Sequence, residues 1–325
     1  MSFNALLLQS VAVELKEHLL GARVEKIHHP EKATIIIELR LPGKNLHLLL
    51  SAHPSFGRIY LTQEKYTNPH TPSAFCMLLR KHLEKYRLDD ISSTPFERIV
   101  RLNFSREEDY GRSKIKKSLV LEIMGKHSNI ILLSEEDVII DALFRVDESK
   151  SRVRQILPQI AYTLPPPQKK ENPKNLTPEK LGWFLEVANP KKSYDALVKN
   201  VAALSPDLAK QILDNVERPE NHPEKVLEII LELVKLAEKG KFVPNTDGDS
   251  LIFYPPGRGR VNSVLDSYYS KLSTKDKLTQ QKNNLLSFLQ NHLNKNTKKL
   301  QLRNEALLNA QKANEYRKKG DLLTA

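Results

Sequence analysis

The front of the chain carries one helical and two strand patterns of apolar residues. Residues 5–20 place leucine and valine at helical spacing, and Gly21 follows as a stop signal, so a first helix is expected there. Residues 35–41 and 46–50 alternate apolar with other side chains. Because Pro42-Gly43 separates these two runs, they predict a β-hairpin.

The next segment predicts a helix and then more strands. Thr71-Pro72 has the form of a helix cap followed by proline, and the helix is expected to reach about Tyr86. Pro165-Pro166-Pro167 forces an extended connector, so the first domain is assigned to residues 1–172. Short strands mixed with few helices predict an α+β fold with a mostly antiparallel sheet. The strand patterns are Arg98–Phe104, Ser118–Met124, Asn129–Leu133 and Val138–Phe144.

Residues 173–242 carry helical patterns with proline near each start. The starts are Thr177-Pro178, Ser205-Pro206 and His222-Pro223, and Gly240 closes the last helix. These short helices predict either a helix-hairpin-helix module, whose backbone N–H groups can hold a phosphate, or a plain helical bundle. The glycine hairpin usual in such modules is missing, since Ala202-Ala203-Leu204 stands in its place.

The end of the chain predicts an extended segment and a long helix. Residues 243–265 return to extended patterns, and residues 266–325 predict the first part of a coiled coil. Leucines at 286, 293, 300 and 307 keep a seven-residue spacing. The companion positions are mostly polar or small, so this seam is too thin to dimerise tightly alone.

Charge and cysteine content narrow the function. The 325 residues carry a net charge of +12, which favours a polyanionic partner. From Asp266 onwards, twelve basic and five acidic residues give a net of +7. Cys76 is the one cysteine and cannot form an internal disulfide, no apolar run reaches the roughly 20 residues of a membrane span, and charges interrupt the first apolar stretch. We therefore expect a cytoplasmic protein without a membrane partner.

The sequence contains no recognisable catalytic apparatus. It has no His/Cys pattern at metal-ligand spacing, no Walker loop, no dinucleotide fingerprint and no nucleophile elbow. Cys76 lies in an apolar helical segment and is interpreted as core. We therefore expect no catalytic residue, no metal and no cofactor.

Eight short motifs in a fixed order carry a family resemblance over nearly the whole chain. They are Leu49–Phe56, Phe75–Leu83, Phe96–Ile99, Glu122–Ile130, Arg154–Pro158, Tyr162–Pro166, Asp266–Tyr269 and Tyr316–Ala325. Together they resemble the N-terminal portion of the RqcH and fibronectin-binding protein A-like (NFACT) family of ribosome-associated quality-control factors.

The resemblance implies a function in which the ribosome, and not this protein, forms the peptide bonds. The protein would bind large ribosomal subunits, through ribosomal RNA, that are obstructed by peptidyl-tRNA. It would recruit aminoacyl-tRNA, alanyl-tRNA in bacteria, so that the subunit adds an untemplated tail to the stalled chain. The NFACT resemblance also implies a coiled coil whose return helix lies beyond residue 325. The front domain with the helical module separately resembles, at the level of fold only, the scaffold of formamidopyrimidine-DNA glycosylases, without their N-terminal proline.

Two pairs of residues match positions at which the family handles tRNA. Glu97-Arg98 stands where the family has an Asp-Arg pair, and Asn4-Ala5 stands where it has Asp-Gly. The resemblance therefore implies that Asn4, Glu97 and Arg98 bind tRNA. Compared with the family's aspartates, Glu97 carries the same negative charge on a longer side chain, whereas Asn4 is uncharged. These two differences leave open whether tailing activity is retained.

Further basic residues are candidates for RNA contact. Lys126 and His127 lie in a turn that either serves the sheet alone or contacts tRNA phosphates. Arg80 and Lys81 lie near the last turns of the predicted second helix, where they either complement its dipole or form part of a phosphate-contacting patch. Such a patch would be extended by three arginines, namely Arg145, Arg152 and Arg154.

Three other functions make different predictions. A surface adhesin that binds fibronectin would need a secretion signal or wall anchor. A non-catalytic DNA-binding protein on the glycosylase-like scaffold would prefer duplex DNA to tRNA. A purely structural coiled-coil scaffold would be insensitive to changes at Arg98.

Overall fold

The computed structural model describes residues 3–108, 113–186, 193–248 and 250–324. The chain divides into two compact units, Met1–Tyr268 and Tyr269–Ala325. The helices are α1 (Ala5–Leu19), α2 (Ala74–Leu83), α3 (Pro178–Glu186), α4 (Ser193–Asn200), α5 (Pro206–Asp214), α6 (Pro223–Glu238) and α7 (Val261–Thr324). The strands are β1 (Arg23–Glu31), β2 (Thr34–Leu41), β3 (Lys44–Ser51), β4 (Arg58–Thr62), β5 (Arg87–Ser93), β6 (Ile99–Glu108), β7 (Ser113–Glu122), β8 (Asn129–Leu133), β9 (Ile139–Ala142), β10 (Asn245–Asp247) and β11 (Ser250–Ile252).

The first unit is built on one sheet made of two antiparallel meanders. Its nine strands have the order β4-β3-β2-β1-β5-β6-β7-β8-β9. The meanders meet where β1 lies beside β5, and Val24 N–H donates to the Tyr86 carbonyl at 2.9 Å. Each meander follows one helix, α1 or α2. The predicted α+β fold with a mostly antiparallel sheet is confirmed.

Several element bounds differ from the sequence prediction. The helix expected from Thr71-Pro72 to Tyr86 begins instead at Ala74, because the Ser73 hydroxyl accepts from Cys76 N–H at 3.2 Å. It ends at Leu83, and Lys85 has a left-handed φ of 71°. Strands β1, β4 and β5 were not predicted. The residues of β1 and β5 are largely charged or polar, a bulge in β5 breaks its alternation, and β4 has only five residues.

Helix α1 contacts both the sheet and later parts of the chain. It packs against β4, β5, β6 and α6. The Ser10 hydroxyl accepts from Phe242 N–H at 3.1 Å, and Glu14 Oε2 accepts from Val261 N–H at 2.7 Å. Gly240 ends α6 with φ at +68°, and a Cβ there would lie 2.8 Å from Val13. The stop signal predicted at Gly240 is therefore correct, and only glycine fits without movement.

The first turns of α7 cover the edge strand β4. Asn262 Oδ1 accepts from Leu61 N–H at 2.9 Å, and Asp266 Oδ2 accepts from Gln63 N–H at 3.1 Å. Asp266 Oδ1 also accepts from the Thr62 hydroxyl at 2.7 Å. These side chains take up edge N–H groups that would otherwise be unpaired in the sheet.

Helices α3 to α6 pack against one another and join the sheet domain through α1. Helix α5 begins as predicted, since Ser205 caps it by accepting from Leu208 N–H at 3.3 Å and Pro206 is its first residue. Ala203, just before this cap, has a left-handed φ of 67°. The turn therefore takes the conformation that a hairpin glycine favours, although alanine occupies it.

The second unit is helical, from Tyr269 to the end of α7. The helix expected from residue 266 begins at Val261. The four leucines of the seven-residue repeat are 50–63% exposed, which leaves their seam open to solvent within this unit. A coiled coil built on this seam stays a prediction. Among the described residues, no helix is long and apolar enough to cross a membrane.

Candidate functional site

Asn4, Glu97 and Arg98 come from two distant segments and line one cavity of about 220 Å³. The cavity is smaller than the roughly 300–1,000 Å³ of clefts for drug-sized ligands, so it suits one small chemical group. Its wall is completed by parts of the connector and of the helical module. These include Gln168, Lys170 and the segment Ala202–Pro206.

The backbone of the β5–β6 hairpin holds Glu97 and Arg98 in place. Glu97 N–H donates to the Thr94 carbonyl at 3.1 Å, and the Arg98 carbonyl accepts from Ile123 N–H at 2.8 Å. Phe96 precedes them with a left-handed φ of 59°. The pair is therefore fixed by a tight turn and by the neighbouring β7 segment.

Two helix N-termini lie at the cavity. Asn4 caps α1, and Ser205 with Pro206 begins α5. Helix N-termini carry partial positive charge, which favours an anion between them.

The Asn4 amide supplies a donor that nothing in the described chain uses. Asn4 is 1% exposed, and its Oδ1 accepts from Leu7 N–H at 2.8 Å. Its Nδ2 is buried without a hydrogen-bond partner among the described residues. Since buried polar groups normally have partners, this unpaired donor marks Asn4 as an unusual position beside the cavity.

Two cations and one carboxylate set the charge of the cavity. Burial lowers the pKa of Arg98, which Glu97 partly opposes, and burial also lowers the pKa of Lys170. Burial raises the pKa of Glu97, while Lys170 and Arg98 act to lower it. The charged groups are thus partly removed from water. The arrangement can bind an anion through Arg98 and Lys170, and Glu97 can accept a hydrogen bond from an adjacent amino group.

Two strained backbone positions lie at this cavity. Six non-glycine residues of the described chain have left-handed φ values, and two of them, Phe96 and Ala203, line it. Such conformations cost on the order of 1–3 kcal/mol each and cluster at functional sites.

The other candidate residues do not line this cavity. Lys126 and His127 are exposed on a single 3-10 turn, Gly125–His127, between β7 and β8. Lys81 and Arg152 are also exposed. Their contact with RNA stays a prediction.

Three predicted arginines are already engaged by the protein. Arg80 Nε donates to the Ile27 carbonyl at 2.8 Å, and Arg145 Nε donates to Asp141 at 2.9 Å. The third, Arg154, forms a bidentate pair with Glu122, described next. These contacts reduce what each guanidinium has available for phosphate.

Glu122 forms a buried network with Arg154 and Tyr162. Glu122 is 1% exposed and accepts from both terminal nitrogens of Arg154, at 2.7 and 2.9 Å. The Tyr162 hydroxyl donates to the same carboxylate at 2.8 Å, and burial raises the pKa of Tyr162. This network joins the end of β7 to the segment that leaves the sheet.

Sequence reasoning missed Lys170 and Gln168. Both follow the triple proline, whose pattern predicts only an extended connector and no site. The available signal was the basic pair Lys169-Lys170 directly after the prolines, but only the fold places Lys170 in the cavity. In the part of the chain that the structure covers, no three His, Cys, Asp or Glu side chains gather as a metal site would require.

The sheet with its helical module and this cavity defines a known class of protein. A family model described as NFACT N-terminal and middle domains matches residues 4–325. The chain belongs to this family, whose relatives carry the names of ribosome quality-control factors.

Named relatives and a solved structure agree with this assignment. The chain is 33% identical over 340 residues to the Rqc2 homolog RqcH of Bacillus subtilis, covering all of this chain and 59% of that protein. It is 32% identical over 336 residues to the Rqc2 homolog RqcH of Streptococcus pneumoniae, covering all of this chain and 58% of that protein. The N-terminal part of the fibronectin/fibrinogen-binding protein of Streptococcus suis superposes with a TM-score of 0.67 at 32% identity, over 83% of this chain and 100% of that one.

The chain thus spans less than two thirds of the length of the two curated relatives described. The glycosylase-like scaffold, expected from the sequence, stays a prediction.

Proposed function

We propose that this protein is a cytoplasmic ribosome-associated quality-control factor that binds large ribosomal subunits obstructed by peptidyl-tRNA. It recruits aminoacyl-tRNA, namely alanyl-tRNA, for untemplated C-terminal tailing of the stalled chain. The protein positions the tRNA, and the ribosome forms the peptide bonds. Positioning alone accounts for a large part of many rate enhancements, so a factor without catalytic groups suffices.

One observation carries the proposal. Asn4, Glu97 and Arg98, which the family resemblance assigns to tRNA, meet in one cavity with Lys170 and two helix N-termini. Cations and helix starts suit phosphate oxygens, whereas Glu97 suits an amino group of a base or of an aminoacyl end. The names of the relatives support the same role.

A tRNA-binding measurement tests the cavity. Fluorescence anisotropy with alanyl-tRNA is expected to show weaker binding for Arg98→Ala and for Lys170→Ala than for wild type. Arg40→Ala is the matched control, because Arg40 is an exposed arginine at the end of β2. If Arg98→Ala, Arg40→Ala and wild type bind alanyl-tRNA with equal affinity, the proposal that tRNA binds in the cavity is wrong.

Co-sedimentation tests the ribosomal part. The protein is expected to pellet with large subunits that carry peptidyl-tRNA more than with empty subunits. If the protein pellets equally with empty subunits and with subunits that carry peptidyl-tRNA, it does not recognise obstructed subunits.

Binding to fibronectin is a second candidate, favoured by the name of the Streptococcus suis protein. It predicts fibronectin binding that Arg98→Ala leaves unchanged. The same assay tests the DNA-binding alternative with duplex DNA as a competitor of tRNA, because that alternative predicts a preference for duplex DNA.

A further inference from the structure

A second group of cations surrounds Tyr86, at the far end of β6 from the cavity. The Tyr86 side chain is buried, with the residue 2% exposed. The guanidinium carbon of Arg106 lies 5.0 Å from its ring centroid, and Lys117 Nζ lies 5.6 Å from it. Cations are attracted to aromatic faces at such distances. Together with Lys81 and His82 at the end of α2, these residues are called the Tyr86 cluster.

Lys117 and His82 are in direct contact. Lys117 Nζ lies 2.6 Å from His82 Nδ1. An ammonium group has only donors, so the imidazole nitrogen accepts and His82 is neutral. Burial, with Lys117 and Lys81, lowers the pKa of His82, and burial, with Arg106 and Lys81, lowers the pKa of Lys117. The fold therefore holds positive groups close enough to oppose one another.

The positive charge of the Tyr86 cluster is only partly neutralised. Glu108 pairs with Arg106. Over the described ranges of the chain, neither Lys81 nor Lys117 has a carboxylate within ion-pair distance. The C-terminal dipole of α2, equivalent to roughly half an elementary charge, offsets part of the charge of Lys81. A net positive charge is left beside a half-buried lysine.

We infer that the Tyr86 cluster binds a backbone phosphate of the same RNA whose other part occupies the cavity, an inference that rests on the proposed function. Arg98 directly precedes β6 and Arg106 lies in this strand eight positions later, which at roughly 3.3 Å per residue is about 26 Å. A mononucleotide cannot reach both places, whereas a polynucleotide can.

The chemistry of the cluster favours phosphate contact without base recognition. Tyr86 is buried and offers no face on which a base could stack. Lysine and arginine without a stacking ring bind phosphate oxygens and position a nucleic acid, but they do not read its sequence. An acidic peptide would be a separate partner, whereas RNA in the cavity brings phosphates along its whole length.

The first test compares two neighbouring lysines. Lys116→Gln is the control for Lys117→Gln, because Lys116 points to the opposite face and pairs with Glu135 at 3.0 Å. Binding of an alanine tRNA transcript is measured over a salt series. Lys117→Gln is expected to make the slope of log affinity against log salt less steep by about 0.7–0.9, the effect of one lost phosphate contact. Equal slopes for Lys117→Gln, Lys116→Gln and wild type would overturn the site.

The second test observes His82 in the unaltered protein by NMR. A bound phosphate stabilises the imidazolium, so the tRNA transcript is expected to raise the pKa of His82. If tRNA binds and the pKa of His82 does not change, the inference is wrong. It is also wrong if poly-glutamate, which stands for an acidic peptide, raises the pKa of His82 as much as the tRNA does.

The two sites fail in different ways. If Lys117→Gln weakens binding and Arg98→Ala does not, the cluster still contacts RNA phosphate, whereas the placement of that RNA in the cavity and the proposed cavity function fall. If Arg98→Ala weakens binding and Lys117→Gln leaves both affinity and slope unchanged, the cluster falls and the proposed function stands.

Discussion

Glu14 on α1 caps the first turn of α7, with its Oε2 2.7 Å from Val261 N–H. The two residues lie 247 positions apart in the sequence, and Glu14 is 7% exposed. A helix start needs partners for its N–H groups, and here the partner comes from another helix.

Glu14→Ala is expected to destabilise the protein by about 1.5–3 kcal/mol, because it removes a charged acceptor from buried N–H groups. Urea denaturation measures the change. Glu17→Ala is the control, since Glu17 lies on the exposed face of the same helix. Similar losses for Glu14→Ala and Glu17→Ala would contradict the role of Glu14 as a cap.

Asn4 separates capping from ligand binding. Asn4→Ala is expected to cost about 1 kcal/mol through the lost cap, whereas Asn4→Asp keeps an acceptor for Leu7 N–H and should cost little. Asn4→Asp also supplies the carboxylate that the family carries at this position, so tRNA binding should be at least as tight as in wild type at unchanged stability. Thermal unfolding and anisotropy on the same samples check both effects, and clearly weaker tRNA binding by Asn4→Asp would contradict a role for this position in holding tRNA.

The Glu122–Arg154 pair is expected to matter mainly for stability. Arg154→Met leaves a buried carboxylate without its cation and should cost about 3–5 kcal/mol. Replacing both residues, as Glu122→Gln with Arg154→Met, should cost less than the sum of the single changes. Additive losses in a denaturation cycle would show that the two residues are not coupled.

Anion binding at the cavity should depend on pH through Glu97. Burial raises the pKa of this carboxyl above its ordinary value. As pH falls through that raised pKa, Glu97 becomes neutral and repels an anion less, so sulfate affinity should rise. Calorimetry with sulfate, whose charge is constant over this range, measures it. Glu97→Gln should bind sulfate with little dependence on pH, and an equal rise in this variant would assign the effect to another group.

Ala203 offers a test of the strained turn. Ala203→Gly is expected to stabilise the protein by up to about 1 kcal/mol, because a left-handed conformation costs alanine roughly 1–2 kcal/mol and glycine much less. Ala202→Gly, next to it without a left-handed φ, should destabilise by roughly 0.5–1 kcal/mol. A loss of stability for both variants would mean that the turn is not strained.

The sequence predicted the parts of the fold that local patterns determine. The β2–β3 hairpin across Pro42-Gly43, the proline starts of α5 and α6 and the stop at Gly240 depend on nearby residues, and all three are confirmed. Strand β5 was missed because its partners β1 and β6, rather than its own polar residues, hold it in the sheet.

The cavity was predictable only in part. The family resemblance named Asn4, Glu97 and Arg98, but no sequence pattern places residue 4 beside residue 98. Lys170 and the Ala203 turn enter the cavity through packing of α1 and the helical module. Long-range packing of this kind leaves no local signal.

The first turns of α7, which cover the edge strand β4, determine where the chain can be truncated. A fragment ending before Val261 would uncover the edge N–H groups of Leu61 and Gln63, and bare strand edges promote association between molecules. Shortened versions for crystallisation should therefore retain the chain through Tyr268, or they will aggregate for a reason unrelated to RNA.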